Sequence, residues 1–421
     1  MTYPAAPWGA HDARSRRVDL WDWLAFGILV FSLIMYSQGW ILPIFGSKLD
    51  PTSSGIIRNA YLPVYAAGMV VLAMRPWDTA QALMRQPFLI ILLVVTGLSV
   101  LWSIDSSATM RRLIALYATT LTGVVLAVRF KWGAMAEVMA TAFAIMTVAS
   151  LVAGAVLPFG RMTELFPGAW RGIWMEKNAL GGNMAFAFSI FGATALLVPK
   201  RAWLWCIFAV MALALVLLST SKTSLVSLIL GAAALGFVWV CRRGPASATA
   251  ATWAAVLGAA MLAAFLLFAA DVFLGLLGKD ATLTGRTKIW EAVMRQVEQR
   301  PWTGYGYSAV WDDKTGWGPL AWITKDAGFK AQHAHNSWLE QWLGMGFGGL
   351  IAWALFYLQT LGATLVAVFR DRGAFLALPF LVIYSLVSLT ESIAVSYNDV
   401  RWAIFVALAV KLVWGDREEE G

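Results

Sequence analysis

Charge is what this sequence has least of. Only 13% of its 421 residues are Asp, Glu, Lys or Arg, while 60% are apolar, and a soluble domain carries roughly a quarter charged residues. That scarcity excludes an ordinary water-soluble globule and leaves a bilayer as the natural solvent. Cysteine is nearly missing as well. Cys206 and Cys241 each fall in or at the end of an apolar stretch, which excludes a disulfide framework and a CxxC metal site. No internal repeat is visible, so the inverted-repeat signature of many transporters is lacking. Nor is there a contiguous basic stripe. The formal net charge of +8 is spread over short loops between apolar runs, which argues against a nucleic-acid partner and for positive-inside topology.

What is present is a succession of apolar runs long enough to cross a hydrocarbon core at helical rise. They predict an all-α integral membrane protein with about twelve transmembrane helices, near 20–44, 60–74, 87–103, 110–128, 134–157, 179–198, 202–218, 222–241, 252–277, 342–369, 374–392 and 400–414. Residues 1–277 then form an N-terminal transmembrane region of about nine helices, 278–335 a large outward loop, 336–414 a C-terminal region of about three helices, and 415–421 an acidic tail. Arg14, Arg16 and Arg17 precede the first run as in a signal sequence. The run is too long for a signal core and lacks a small-residue cleavage site, so it is expected to remain as the first helix. A cytoplasmic N-terminus gathers Arg75 and Arg85, Arg129 and Lys131, Lys200 and Arg201, Arg242 and Arg243, and Arg370 and Arg372 on one side. Both termini are then cytoplasmic, in a bacterial inner membrane, with the large loop periplasmic.

The chemistry-bearing residues crowd the outward loops. Residues 284–300 place Ile289, Val293 and Val297 at fourfold spacing, with Trp290 and Met294 beside them, which predicts an amphipathic helix lying at the membrane interface. Thr284 is the expected N-cap, which puts Arg286 in the first turn, where the helix dipole disfavours a cation. Two readings stand: Arg286 shares an anion with the helix N-terminus, as in a phosphate site, or it contacts lipid headgroups. Tryptophans 290, 302, 311, 317, 322, 338 and 342 either stack on sugar rings, with Trp290, Trp311 and Trp338 the candidates, or form an interfacial belt. The loop closes on His333, His335 and Asn336. An imidazole exchanges protons near neutral pH, so His335 is the candidate general base, with His333 and Asn336 in support or, for His333, merely an exposed loop residue. Alternate histidines lack clear partner ligands, Asp312 and Asp313 being the oxygen donors at hand, so no metal and no cofactor are expected. Lys222, at a turn too tight for a solvated loop, Lys177 with Asn178, and Arg171 complete a set of outward groups. The plain reading of Lys222 is a snorkelling lysine with hydroxyl partners, and that of Lys177 is an ion pair with Glu176. Arg111 and Arg112 could line an outer vestibule, and Tyr397, Asn398, Asp399 and Arg401 read as structural.

The order Thr284-Gly285-Arg286, Trp290, Pro301, Gly304, Gly306, then His335-Asn336, Leu339, Gly344 and Gly349 resembles the superfamily of O-antigen ligases and Wzy-type polymerases. The resemblance covers residues 284–350 well, with two further patterns at Lys177-Asn178 with Gly181 and at Ser221-Lys222-Thr223-Ser224. It implies a membrane-embedded glycosyltransferase of the GT-C class that uses an undecaprenyl-diphosphate-linked oligosaccharide, works without metal and inverts the anomeric centre. By motif, the resemblance puts the base on His335 and the diphosphate clamp on Arg286. Lys222 stands where ligases carry a second arginine. Lysine keeps the charge and loses the bidentate fork. That departure, with the string from Trp170-Arg171 to Gly181, looks more like the ExoQ-like exopolysaccharide polymerases. The expected enzyme is therefore a polymerase of lipid-linked repeat units, with a chain-length regulator and a repeat-unit flippase as possible partners. A ligase acting on lipid A core is the alternative. A polysaccharide transporter is a third reading, against which stands the crowding of charge at the outer edge rather than the midplane.

Overall fold

The computed structural model describes residues 20–46, 55–163, 166–268, 285–313 and 315–416. The expectations for Arg14, Arg16, Arg17 and Thr284, for the end of the ninth run (269–277), for the start of the loop (278–284) and for residues 417–421 fall outside them.

The described chain is helical, with one isolated bridge, Arg161 to Trp170, outside the helices. Its α-helices are α1 (Leu20–Tyr36), α2 (Ile41–Phe45), α3 (Gly55–Ala60), α4 (Leu62–Met74), α5 (Pro76–Met84), α6 (Pro87–Leu98), α7 (Ser106–Arg129), α8 (Trp132–Val156), α9 (Lys177–Leu197), α10 (Ala202–Leu218), α11 (Lys222–Cys241) and α12 (Pro245–Phe268). After these come α13 (Arg286–Gln299), α14 (Pro319–Ala327), α15 (Ser337–Arg370), α16 (Ala374–Ser388) and α17 (Val400–Trp414). Seven helices or helix pairs among the described residues are long and apolar enough to cross a membrane, or eight if α5 and α6 with the turn to Trp102 count as one bent span. The protein is thus a multi-pass membrane protein. The expected runs differ from the helices where the chain breaks. The run 20–44 stops at Tyr36 and resumes as α2, and α3 meets α4 at Tyr61, just before Pro63. Residues 76–84, expected as a basic turn, form α5, bent by 92° from α6.

Apolar side chains point outward along the helices, as Val210 (65% exposed) and Leu101 (79%) do, which in water would be a defect and in lipid is a solvated face. Inside, α9 packs on α8, α10, α11 and α16, while α17 packs along α7. Trp353, Tyr384, Trp402 and Phe405 stack into a buried aromatic centre, and Trp402 donates its indole N–H to Thr120 Oγ1 at 2.9 Å. The basic turns meet at one end: Asp371 takes the Trp132 indole N–H at 3.0 Å, its carbonyl accepts from Arg242, and Arg372 reaches the Leu196 carbonyl.

Candidate active site

At the opposite end, the described part of the loop expected to face outward is a small folded body. Ile289, Val293 and Val297 of α13 are buried against Leu320, Ile323 and Ala327 of α14, with Tyr305, Val310 and Leu343. Each such aliphatic side chain contributes about 1.5–3 kcal/mol on burial. The period expected for the amphipathic helix is present, but its apolar face is covered by protein rather than turned to lipid. Gly304 and Gly306 adopt φ of +64° and +98°. Two amides of this turn dock the loop onto α15, Tyr305 N donating to the Leu343 carbonyl at 3.0 Å and Gly306 N to that of Gly344 at 2.8 Å. A Cβ on Gly306 would lie 2.2 Å from Ser103 Oγ, so only glycine fits there.

This docking brings His335 to the turn between α16 and α17. Its Nδ1 lies 3.0 Å from Glu391 Oε2, while the other carboxylate oxygen, Oε1, accepts from Arg286 at 2.5 Å. Burial opposes the charge on Glu391, but the His335 hydrogen bond and the Arg286 guanidinium outweigh it and hold the carboxyl below its ordinary value. An ionised Glu391 accepts the hydrogen bond from Nδ1–H, which leaves Nε2 as the nitrogen that can take a proton. His335 itself sits at φ +50°, a conformation fixed by its neighbours. Its amide donates to His333 Nδ1 at 3.2 Å, and Asn336 caps α15, accepting from the amides of Trp338 and Leu339. Burial, reinforced by His335, pushes the His333 imidazole down to about 4, in keeping with a ring that accepts at Nδ1. Ser337 staples the opposing turn, donating to the Glu391 carbonyl and accepting from the amides of Ile393 and Ala394.

Next to this group opens a cavity of about 570 Å³, lined by His333, Glu340, Arg112, Arg401, Tyr61 and Tyr397 among others. Glu340 accepts from the Ala334 amide and Ser392 Oγ at 3.0 Å each, and from the Trp311 indole. Arg112 pairs with Asp312 and the Ser308 carbonyl. Arg401 pairs with Asp399, which also caps α17. Walls of fixed donors, fixed acceptors and tyrosines suit a polyhydroxylated ligand.

The expected residues are distributed as follows. Arg286, His335 and His333 come together. Lys177 lies near Lys222, donates to Thr220 at 3.2 Å and lies over the Phe166 ring. Asn178 is exposed on the first turn of α9. Arg171 spends its guanidinium on the carbonyls of Phe159 and Met175, an anchoring role. Trp311 lines the cavity. Trp290 instead donates to the Ala334 carbonyl, and Trp338 packs on Trp353 and Tyr357. Glu391 and Glu340 were missed. So was a three-ligand cluster: ligand atoms of His333, His335 and Glu391 lie within 4.8 Å of one another, Glu391 being the partner that the two histidines lacked in sequence. A metal there would have to displace the His335–Glu391 bond and sit beside the Arg286 charge, so the arrangement favours proton transfer over coordination.

Two comparisons place the chain among known proteins by sequence. Residues 207–354 match the O-antigen ligase family (Wzy_C). The match runs from α10 into α15 and includes Lys222, Arg286, His333 and His335, while Glu391 lies beyond it. Over 192 residues the chain is also 31% identical to the exopolysaccharide production protein ExoQ of Rhizobium meliloti (strain 1021). That alignment spans 43% of each chain, less than half of the curated relative's length. The chain thus resembles the O-antigen ligase superfamily and ExoQ, and the family match covers the segment that holds the described part of the loop.

Proposed function

We propose that this protein is a membrane glycosyltransferase that polymerises undecaprenyl-diphosphate-linked repeat units into exopolysaccharide, with the reaction on the periplasmic face. The observation that supports it most is the Arg286–Glu391–His335 chain, which combines a base with a cation at one point beside a polar cavity. The acceptor hydroxyl gives its proton to His335 Nε2 as its oxygen attacks the anomeric carbon of the donor. The bond from that carbon to the diphosphate oxygen breaks with inversion, and undecaprenyl diphosphate leaves with the electron pair. Glu391 stabilises the imidazolium that forms. The Arg286 guanidinium can hold a phosphate oxygen with a second arm of its fork, with Lys222 and Lys177 adding point charges. The terminal acceptor sugar occupies the cavity above Tyr61 and Tyr397. Loss of base or orienting carboxylate should cost on the order of 10²–10⁴ in rate.

The test uses purified protein in detergent with a lipid-linked repeat unit and no ion gradient. Wild type should extend the chain, whereas His335→Ala and Glu391→Gln, folded as judged by thermal unfolding, should lose at least about a hundredfold in rate. Full-length polymer from both variants would sink the assignment. The family match itself favours a ligase as the second reading. Lipid analysis of a null strain separates the two: single lipid-linked repeats mark a polymerase, and long lipid-linked chains with uncapped core mark a ligase.

A further inference from the structure

A second space, of about 950 Å³, lies between the start of α7 and the loop segment 296–322. It shares Asp312 and Asp313 with the inner cavity but none of the residues of the His335–Glu391 group. Two indoles line it, Trp317 at 78% exposure and Trp322 at 48%. Trp322 is held in place by its N–H donating to the Trp317 carbonyl at 3.1 Å. Neither ring is accounted for by the loop's own core. Asp313 Oδ1 accepts from Thr315, while Oδ2 is buried against Gly318 with no hydrogen-bond partner among the described residues. The charged lining, Arg111 and Arg300 against Asp105, Asp312 and Asp313, is close to balanced. That suits a neutral polyol better than an anionic lipid headgroup, which selects for excess cations. Flat rings that cover C–H faces, with amides, a carboxylate and guanidinium groups around them to take hydroxyls, describe a saccharide site.

We propose that this groove is a second saccharide-binding subsite, which holds sugars of the lipid-linked chain distal to the one reacting at His335, with Asp312 and Asp313 as the wall between the two spaces. That the saccharide is part of the lipid-linked chain rests on the function proposed above; that the groove binds a saccharide does not.

Calorimetric titration of the purified protein with a lipid-free oligosaccharide of several repeat units, cut from the cell's own exopolysaccharide, tests it. The Trp317→Ala/Trp322→Ala double variant should bind about tenfold more weakly and make shorter chains, while transfer between two single repeat units stays within about twofold of wild type. Phenylalanine at both positions should restore most of the binding. His335→Ala should bind the oligosaccharide as wild type does, so binding judges the groove even if that variant still polymerises and the catalytic assignment falls. Equal binding by the double alanine variant and wild type would overturn the subsite. So would a loss of single-repeat transfer as large as the loss of chain length.

Discussion

His333 and His335 stand two residues apart and meet different partners, a backbone amide for one and a carboxylate for the other. The His333 value, down at about 4 from 6.5, makes the fold acid-sensitive in a defined window. Above about pH 6.5 neither the folded nor the unfolded chain protonates this ring, and its contribution is fully present. Between about 6.5 and 4 the unfolded chain binds a proton that the folded chain refuses, so stability falls with pH until about 4, where the slope ends. At pH 5 the loss should be about 2 kcal/mol. In detergent, wild type should melt at a lower temperature at pH 5 than at pH 7.5, and His333→Gln should show less of that drop; an undiminished drop would remove His333 as its source. Arg286 and His335 were legible in sequence because motif spacing marks them. Glu391 was not, because the apolar run 374–392 absorbed it. The signal that could have found it is physical: a lone carboxylate at the end of a membrane span is costly and needs a partner.

Among the elements, α15 carries the most constraint. Its helical path is broken at Gly346, φ +66°, where Phe347 N donates to the Pro301 carbonyl at 2.8 Å. A Cβ at Gly346 would lie 2.1 Å from the Trp302 carbonyl oxygen. The break lets α15 begin in the loop, under the Asn336 cap, and continue as a membrane helix. Gly346→Ala should therefore destabilise by about 2–4 kcal/mol, seen as a lower melting temperature and faster trypsin cleavage of the outward loop. Gly348→Ala is the control, since the nearest atom to its Cβ would be Val95 Cγ1 at an ordinary 3.7 Å. Equal effects from the two would show that the break is not what fixes the loop. The fourfold spacing of Ile289, Val293 and Val297 announced α13, because helical period is local. Its partner, α14, was not legible, since which surface covers an apolar stripe is decided by chain segments about thirty residues away.

For the whole molecule, the two ends of the membrane region decide a parity that helix lengths leave open. Asp22, in the first turn of α1, pairs with Arg129, and Asp416, just past α17, accepts from the Trp132 amide at 3.1 Å. Both chain ends of the helical bundle thus sit at the Arg129–Trp132 turn, among the basic loops, and an odd number of crossings cannot put them there. The even number read from hydropathy satisfies this, and the seven or eight spans that pass a length criterion among the described residues leave out α1 and α17, whose ends carry the argument. We propose, from positive-inside bias, that this basic end is cytoplasmic and the His335 end periplasmic. Single cysteines in a Cys206→Ala/Cys241→Ala background test the orientation. Gln299→Cys and Lys325→Cys should react with a membrane-impermeant maleimide on intact spheroplasts, and Lys200→Cys and Arg370→Cys only after permeabilisation. The inverse pattern would place the His335–Glu391 pair in the cytoplasm, away from any periplasmic chain end, and the polymerase reading would have to be abandoned with the topology.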